Sequence, residues 1–303
     1  MNASNAIEVG HVSKHYNGVV AVQDLSFEVH AGEVFGLLGP NGAGKSTTIR
    51  MLMDIIKPDS GDIHILGQPM SDPLKDRIGY LPEERGLYRS ARVLETLVYL
   101  GQLKGMARQD AQQQAVRWLE RIELGEWGKR KLNELSKGMQ QKVQLVATIL
   151  HRPALVILDE PFSGLDPLNI ELVKDIIREL VQAGTTLILS THQLAQAEAL
   201  CHRLLLINHG RGVLYGDLTA IRARYTENAV RLDVEGGLEG LAGIHRVEPN
   251  GRGAVAYLDP GVTPQDLLRQ LVARNLVVHR FELATPPLDA IFIAAVEGRG
   301  IEV

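Results

Sequence analysis

A glycine-rich segment at residues 39–46 has the residue types and spacing of a phosphate-binding loop. It reads Gly-Pro-Asn-Gly-Ala-Gly-Lys-Ser and matches the pattern G-x-x-x-x-G-K-[ST]. Its glycines let the backbone turn N–H groups toward phosphate oxygens, and the start of a following helix adds partial positive charge. Lys45 is predicted to reach the β- and γ-phosphates, and the Ser46 hydroxyl to bind Mg²⁺. The predicted nucleotide-binding residues here are Gly39, Pro40, Asn41, Gly42, Ala43, Gly44, Lys45, Ser46 and Thr47.

Two adjacent carboxylates, Asp159 and Glu160, follow an apolar run at 154–158 that is typical of a buried strand. Beside the phosphate loop, such a strand would place Asp159 where it can hold Mg²⁺. Glu160 would then face the γ-phosphate and accept a proton from the attacking water. Strands that end in solvated acids are common, so this interpretation depends on the phosphate loop.

The elements around these residues alternate between strands and helices. Apolar runs predict strands at 33–38, 154–158, 185–189 and 204–208, and a helix is predicted to begin at about Lys45. A mainly parallel sheet covered by helices on both faces follows from this alternation. The stretch from about 93 to 150 has apolar residues at helical spacing only, and it is predicted to be all-helical.

The composition changes near Arg222, and the remaining chain is predicted to form a small α+β domain. From 229 to 283 the order is strand, short helix, strand, strand, helix, strand, which predicts a ferredoxin-like unit with a final helix at 288–296. Thr263 and Asp266 flank a proline at the predicted start of the second helix, as in a capping box.

Composition limits the classes of partner. The 303 residues carry a formal net charge of −4 with no polybasic block, so we expect no nucleic acid partner. The first ten residues lack a basic patch followed by an apolar stretch, and no apolar run approaches the roughly 20 residues that span a bilayer. We therefore expect a cytoplasmic protein.

The chain from about residue 7 to 220 resembles the nucleotide-binding subunits of ATP-binding-cassette (ABC) transporters. Residues 135–140, Leu-Ser-Lys-Gly-Met-Gln, resemble the L-S-G-G-Q signature of that family, and residues 163–166 resemble the loop after its catalytic glutamate. His192 matches the switch histidine of the family, and Tyr16 matches the aromatic residue that stacks on adenine.

The resemblance implies an α/β P-loop core of ABC type at 1–221, with a mainly parallel sheet, an antiparallel β subdomain and a helical subdomain at about 87–150. Residues 222–303 would be the ferredoxin-like accessory or regulatory domain. ATP and Mg²⁺ are the implied cofactors. The implied catalytic residues are Lys45, Glu160 and His192, and the implied metal ligands are Ser46, Glu83 and Asp159. Outside the phosphate loop, the implied nucleotide-binding residues are Tyr16, Ser136, Gly138 and Asp166.

The resemblance also implies an ATP-sandwich dimer with a second copy or a paralogous cassette. Ser136 and Gly138 of one chain would contact the γ-phosphate bound by the other, and residues 83–104 would receive a multi-span membrane subunit at the cytoplasmic face. Two departures stand out: Lys137 and Met139 replace the usual Gly and Gln of the signature, and Glu83 stands where the family usually has Gln. Both departures resemble cassettes of two-component exporters.

Two other classes remain open from the sequence. A soluble ABC ATPase acting in translation or on DNA is one alternative, although such proteins usually carry two cassettes or a long coiled coil. An importer subunit with a ligand-sensing C-terminal domain is the other. In an exporter or an importer, specificity for the transported compound would belong to the membrane helices of a separate chain.

Overall fold

The structure is a computed structural model that describes residues 5–84 and 86–297. This description leaves out the first four residues, the last six and residue 85. The chain divides into two units, residues 1–218 and 219–303. The strands are β1 Asn5–Tyr16, β2 Val19–His30, β3 Val34–Leu38, β4 Ser60–Ile65, β5 Ile78–Leu81, β6 Leu155–Asp159, β7 Thr186–Thr191, β8 Arg203–Asn208, β9 Arg211–Asp217, β10 Ala229–Val234, β11 Ile244–Asn250, β12 Gly253–Leu258 and β13 Val278–Leu283.

The described helices are fairly short. They are α1 Lys45–Leu52, α2 Asp72–Lys75, α3 Val93–Leu103, α4 Arg108–Arg121, α5 Lys137–Ile149, α6 Pro167–Gln182, α7 Leu194–Glu198, α8 Leu218–Tyr225, α9 Pro264–Ala273 and α10 Leu288–Val296. None of the helices within 5–84 and 86–297 combines the length and apolarity needed to cross a bilayer.

The central sheet of the first unit has the strand order β5-β6-β7-β3-β8-β9. The first five strands are parallel, and β9 is antiparallel to β8. Every residue of β3, β6 and β7 is buried, as expected for a parallel sheet with both faces covered. The predicted mainly parallel sheet is therefore confirmed. Because parallel strands end at one edge, the residues after β3, β6 and β7 meet there.

A separate antiparallel sheet, ordered β2-β1-β4, forms the β subdomain that the resemblance implied. Ile7 of β1 lies between Val29 of β2 and Ile65 of β4, and all three side chains are buried. Tyr16 ends β1 and pairs with Val19 across a tight turn. The helical stretch is confirmed as α3, α4 and α5. On α4, Ala111, Ala115 and Leu119 are buried at a spacing of four residues, as one face of a helix requires.

The second unit contains a four-stranded antiparallel sheet ordered β11-β12-β10-β13, which is the strand order of a ferredoxin-like domain. The predicted start of its second helix is confirmed, because Thr263 and Asp266 form the capping box of α9. Leu267 and Leu271 of α9 pack with Val230 and Leu232 of β10.

The short helix predicted between β10 and β11 is wrong. Residues 235–243 form turns instead of a helix. Four glycines in this stretch have positive φ, at 99° (Gly236), 78° (Gly237), 74° (Gly240) and 81° (Gly243). A right-handed helix cannot include residues in that conformation, and glycine already disfavours helix by about 1 kcal/mol per residue. The apolar residues between these glycines mimic helical spacing without forming a helix.

Candidate nucleotide-binding site

The phosphate loop connects β3 to α1 in a conformation that only glycine tolerates. Gly39 has φ 149° and Gly44 has φ 111°. A Cβ atom on Gly39 would collide with the Ile207 carbonyl oxygen, and one on Gly44 would collide with that of Ala21. The loop is also fixed from outside, because Gly210 N donates a hydrogen bond to Ala43 O at 2.8 Å. The predicted loop therefore has both the backbone and the support that a phosphate cradle requires.

Lys45 lies at the first position of α1, with its ammonium group inside the loop. Its Nζ donates to Gly39 O at 2.8 Å and to Pro40 O at 3.1 Å, and the residue is only 6% exposed. Burial lowers the pKa of Lys45, while the negative charges of Glu160, Asp159 and Glu83 oppose that shift. The ammonium group is held by neutral carbonyls and attracted by three carboxylates.

Asp159 ends β6 beside the loop. Ser190 Oγ donates to Asp159 Oδ1 at 2.7 Å, and the Ser46 hydroxyl also hydrogen-bonds this carboxylate. Burial raises the pKa of Asp159, and the charges of Glu83 and Glu160 raise it further. The structure thus brings together the predicted metal ligands Ser46, Asp159 and Glu83.

A cavity of about 310 Å³ lies over these groups. Glu83, Asp159 and Glu160 line it, and Lys45 is the only cationic residue in the lining that the structure describes. Three carboxylates facing one ammonium group leave an excess of negative charge, which a divalent cation would neutralise. No three His, Cys, Asp or Glu side chains within the described ranges form a metal cluster by themselves. That fits Mg²⁺, which usually takes one or two carboxylates together with phosphate oxygens and water.

Glu160 is oriented by residues that follow β7. Its Oε2 accepts from Thr191 Oγ1 at 3.0 Å, and its Oε1 accepts from His192 N at 2.9 Å. His192 Nδ1 lies 2.7 Å from the same Oε1. Glu160 is 5% exposed and has φ 49°, a backbone conformation uncommon for a residue with a Cβ. A buried carboxylate held by three donors beside the phosphate loop suits a fixed proton acceptor.

Tyr16 is not among the residues that line this cavity. The residue is 41% exposed at the end of β1, and Lys14 Nζ lies 5.7 Å from the centroid of its ring. Val19, Val20 and Ala21, at the start of β2, form the apolar wall instead. Sequence reasoning missed these three, although two consecutive valines directly after an Asn-Gly turn are visible in the sequence.

Ser136, Gly138 and Asp166 also lie outside the lining. Ser136 is the exposed N-cap of α5 and accepts from Met139 N at 3.2 Å. A Cβ built on Gly138 would be 3.6 Å from Gly164 O, so the signature segment adjoins the loop that follows Glu160. Asp166 caps α6 by accepting from Asn169 N at 2.9 Å. One chain therefore assembles the phosphate loop, the carboxylates and His192 but not these three residues.

Comparisons with known proteins agree with this geometry. A family described as ABC transporter matches residues 22–163, and one described as "ATP-binding protein DrrA1-3-like, C-terminal domain" matches residues 216–296. The uncharacterized ABC transporter ATP-binding protein YhaQ of Bacillus subtilis is 37% identical over 293 residues, which cover 96% of this chain and 98% of the relative. The chain belongs to the ABC transporter ATP-binding proteins.

Two further similarities extend the assignment. The Nod factor export ATP-binding protein I of Paraburkholderia xenovorans is 38% identical over 221 residues, covering 72% of this chain and 73% of that protein. A solved structure described as the ATP-binding subunit of an ABC transporter has a TM-score of 0.68 and 34% identity, covering 73% of this chain and 93% of that one. The cassette is an ATP-binding, ATP-hydrolysing subunit of an ABC transporter, and the fold inferred from sequence is confirmed.

Proposed function

We propose that this cassette powers an exporter whose membrane-spanning part is a separate multi-span chain. The C-terminal similarity to DrrA1-3-like proteins and the similarity to a Nod factor export protein favour export over import or a role in translation. The cassette is then peripheral at the cytoplasmic face, bound through its partner. The C-terminal unit at 222–303 is an accessory domain that regulates or stabilises pairing.

The observation that supports ATP-driven pairing of two cassettes is the incomplete site of a single chain. Lys45, Asp159 and Glu160 surround the cavity, whereas Ser136 is exposed at the N-terminus of α5 and Gly138 also lies outside the lining. Helix N-termini attract phosphate, and Ser136 N-caps a helix of 13 residues. A second copy or a paralogous cassette would supply this helix start to the γ-phosphate, so that bound ATP joins the two chains.

Within one site, each residue has a distinct task. Lys45 and the loop N–H groups hold the β- and γ-phosphates. Ser46, Asp159 and Glu83 would hold Mg²⁺, which when bound neutralises charge on the phosphate oxygens. Glu160 accepts the proton of the attacking water, while the His192 backbone and ring fix the carboxylate in place. Asp166 lies in the loop between Glu160 and α6, where it can face the second chain.

The membrane partner is tested through exposed apolar residues in the segment 83–104. Tyr88, Tyr99 and Leu103 are 72%, 52% and 58% exposed. Leu103→Glu is expected to abolish co-purification of a multi-span membrane protein with the tagged chain from detergent-solubilised native membranes, without changing ATP binding. Val116→Glu, at a 40% exposed position on α4, is the matched control and should retain the partner. Recovery of ribosomal proteins or nucleic acid from wild type would contradict the proposal.

Glu83 gives a second test, because it lines the cavity where the family usually has Gln. A glutamate offers the metal a charged oxygen, but its charge also opposes ionisation of nearby Asp159. We expect Glu83→Gln to keep hydrolysis within about tenfold, or about 1.4 kcal/mol of barrier, and to alter the Mg²⁺ dependence. ATPase rates titrated with Mg²⁺ measure this. Superimposable Mg²⁺ titration curves for wild type and Glu83→Gln would show that Glu83 does not bind the metal. Glu84→Gln, at the neighbouring position, is the control.

A further inference from the structure

A second cavity, of about 800 Å³, opens in the first unit at the edge of the central sheet opposite the phosphate loop. Its floor comes from the segments that precede β5, β6 and β7, including Arg77, Pro153 and Thr185. One wall is α4 and the other is the end of α6. Because β5, β6 and β7 are parallel, their amino ends lie at the sheet edge opposite the nucleotide-binding cavity. No residue of the proposed ATPase site lines this second cavity.

Arginines dominate the charge of this cavity. Four of them line it, against the two carboxylates Asp76 and Glu179. Arg121 and Glu179 neutralise each other across the cavity, with Nη2 and Oε1 2.6 Å apart. Arg77, Arg117 and Arg152 have no carboxylate within ion-pair distance in the part of the chain that the structure describes. These three arginines are exposed to solvent and line one cavity together, so an oxyanion that entered it would meet an excess of positive charge.

Much of the lining is apolar. The apolar lining residues include Trp118 of α4, Ile149, Pro153 and Leu180. His151 also lines the cavity, and its ring nitrogens are buried without a hydrogen bond of good geometry within the described ranges. Burial lowers the pKa of His151 to about 4, an effect that the nearby charge of Lys104 reinforces, so the ring is neutral at neutral pH. The apolar part of the lining therefore suits an uncharged ring or chain, and the four arginines outnumber the two carboxylates of the cavity.

We propose that this cavity binds a small anionic amphiphile: an aromatic or acyl body that carries a carboxylate, sulfonate or phosphate group. The volume falls within the range of about 300–1,000 Å³ that is typical of small-molecule sites. The planar guanidinium of arginine binds such oxyanions through two parallel hydrogen bonds. The apolar body would stack on Trp118. Because α4 forms one wall and the segments before the strands form the floor, the ligand would add a contact between the helical segment and the ATPase core.

The test compares two fluorescent probes that share an aromatic body, namely anionic anilinonaphthalene sulfonate and neutral phenylnaphthylamine. Both are titrated against the full chain with excess MgADP, which occupies the nucleotide cavity. We expect Arg117→Gln/Arg152→Gln to weaken binding of the anionic probe by at least about tenfold, or about 1.4 kcal/mol, without changing binding of the neutral probe. Arg108→Gln, on the same helix but outside the cavity, is the matched control and should leave both affinities unchanged.

Trp118→Leu provides an independent test, because it should weaken the binding of both probes. Thermal melting and ATP affinity, measured on every variant, confirm that each one folds. Equal affinity of wild type for the two probes, or an unchanged affinity of the double arginine variant for the anionic probe, would overturn the proposal. Displacement of the anionic probe by an acidic peptide but not by dodecyl phosphate would overturn it in favour of a protein partner.

Discussion

Glu160→Gln is expected to leave ATP bound but almost unhydrolysed. In the proposed mechanism this carboxylate accepts a proton from water, and general base catalysis typically contributes about 10²–10⁴-fold to the rate. A glutamine side chain retains one acceptor oxygen for His192 N, which now donates to Glu160 Oε1 at 2.9 Å. Its amide can also remain beside Thr191, so the geometry of the site should be preserved while the base is lost.

Two measurements check this expectation. The steady-state rate of phosphate release should fall by about 10²–10⁴-fold. The affinity for MgATP should stay near that of wild type. Because hydrolysis no longer ends the closed state, sedimentation at saturating MgATP should show a dimer. Glu126→Gln, an exposed position outside the cavity, is the control for removing a carboxylate. Hydrolysis at a near-normal rate would exclude Glu160 as the base, and a monomer at saturating MgATP would contradict the sandwich.

The phosphate loop could be predicted from sequence because its signal is local. Backbone conformation requires Gly39 and Gly44, and phosphate binding requires Lys45, all within eight residues. The short sequence pattern therefore contains the whole phosphate-binding feature. Asp159 and Glu160 were predictable for a related reason: a wholly apolar strand must be central in a parallel sheet, and the residues after it must lie at the carboxyl edge. The neighbours of these carboxylates, Ser190 and Thr191, could be placed only by the register of β6 with β7.

Features that depend on tertiary context were less accessible. The missing helix after β10 shows that apolar spacing cannot overcome four glycines with positive φ. Strand β9 was not predicted, since Gly212 and Gly216 interrupt its apolar residues, and pairing with β8 stabilises it. Ser136 and Asp166 are matched by motif, but in one chain they cap helices, as many serines and aspartates do. Their role toward nucleotide requires a second chain and stays a prediction.

Lys45→Ala is expected to weaken ATP binding itself, in contrast to Glu160→Gln. Each charge-assisted hydrogen bond to a phosphate contributes roughly 1.5–3 kcal/mol, so the affinity should fall by roughly tenfold to a hundredfold. Loss of the ammonium group has a second effect, because Glu83, Asp159 and Glu160 then face the incoming triphosphate without the cation that attracts it. Isothermal titration calorimetry measures the affinities for ATP and for adenosine. Comparing the two separates the loss of phosphate contacts from a general loss of folded protein.

Adenosine has no phosphates, so its affinity should be the same for Lys45→Ala and wild type. The variant also removes the donor to Gly39 O and Pro40 O, and a lower melting temperature would report that structural cost separately. Lys57→Ala, at an exposed lysine outside the cavity, controls for the loss of one positive charge. If Lys45→Ala binds ATP as tightly as wild type, or loses adenosine and ATP affinity equally, then the ammonium group does not act on the phosphates.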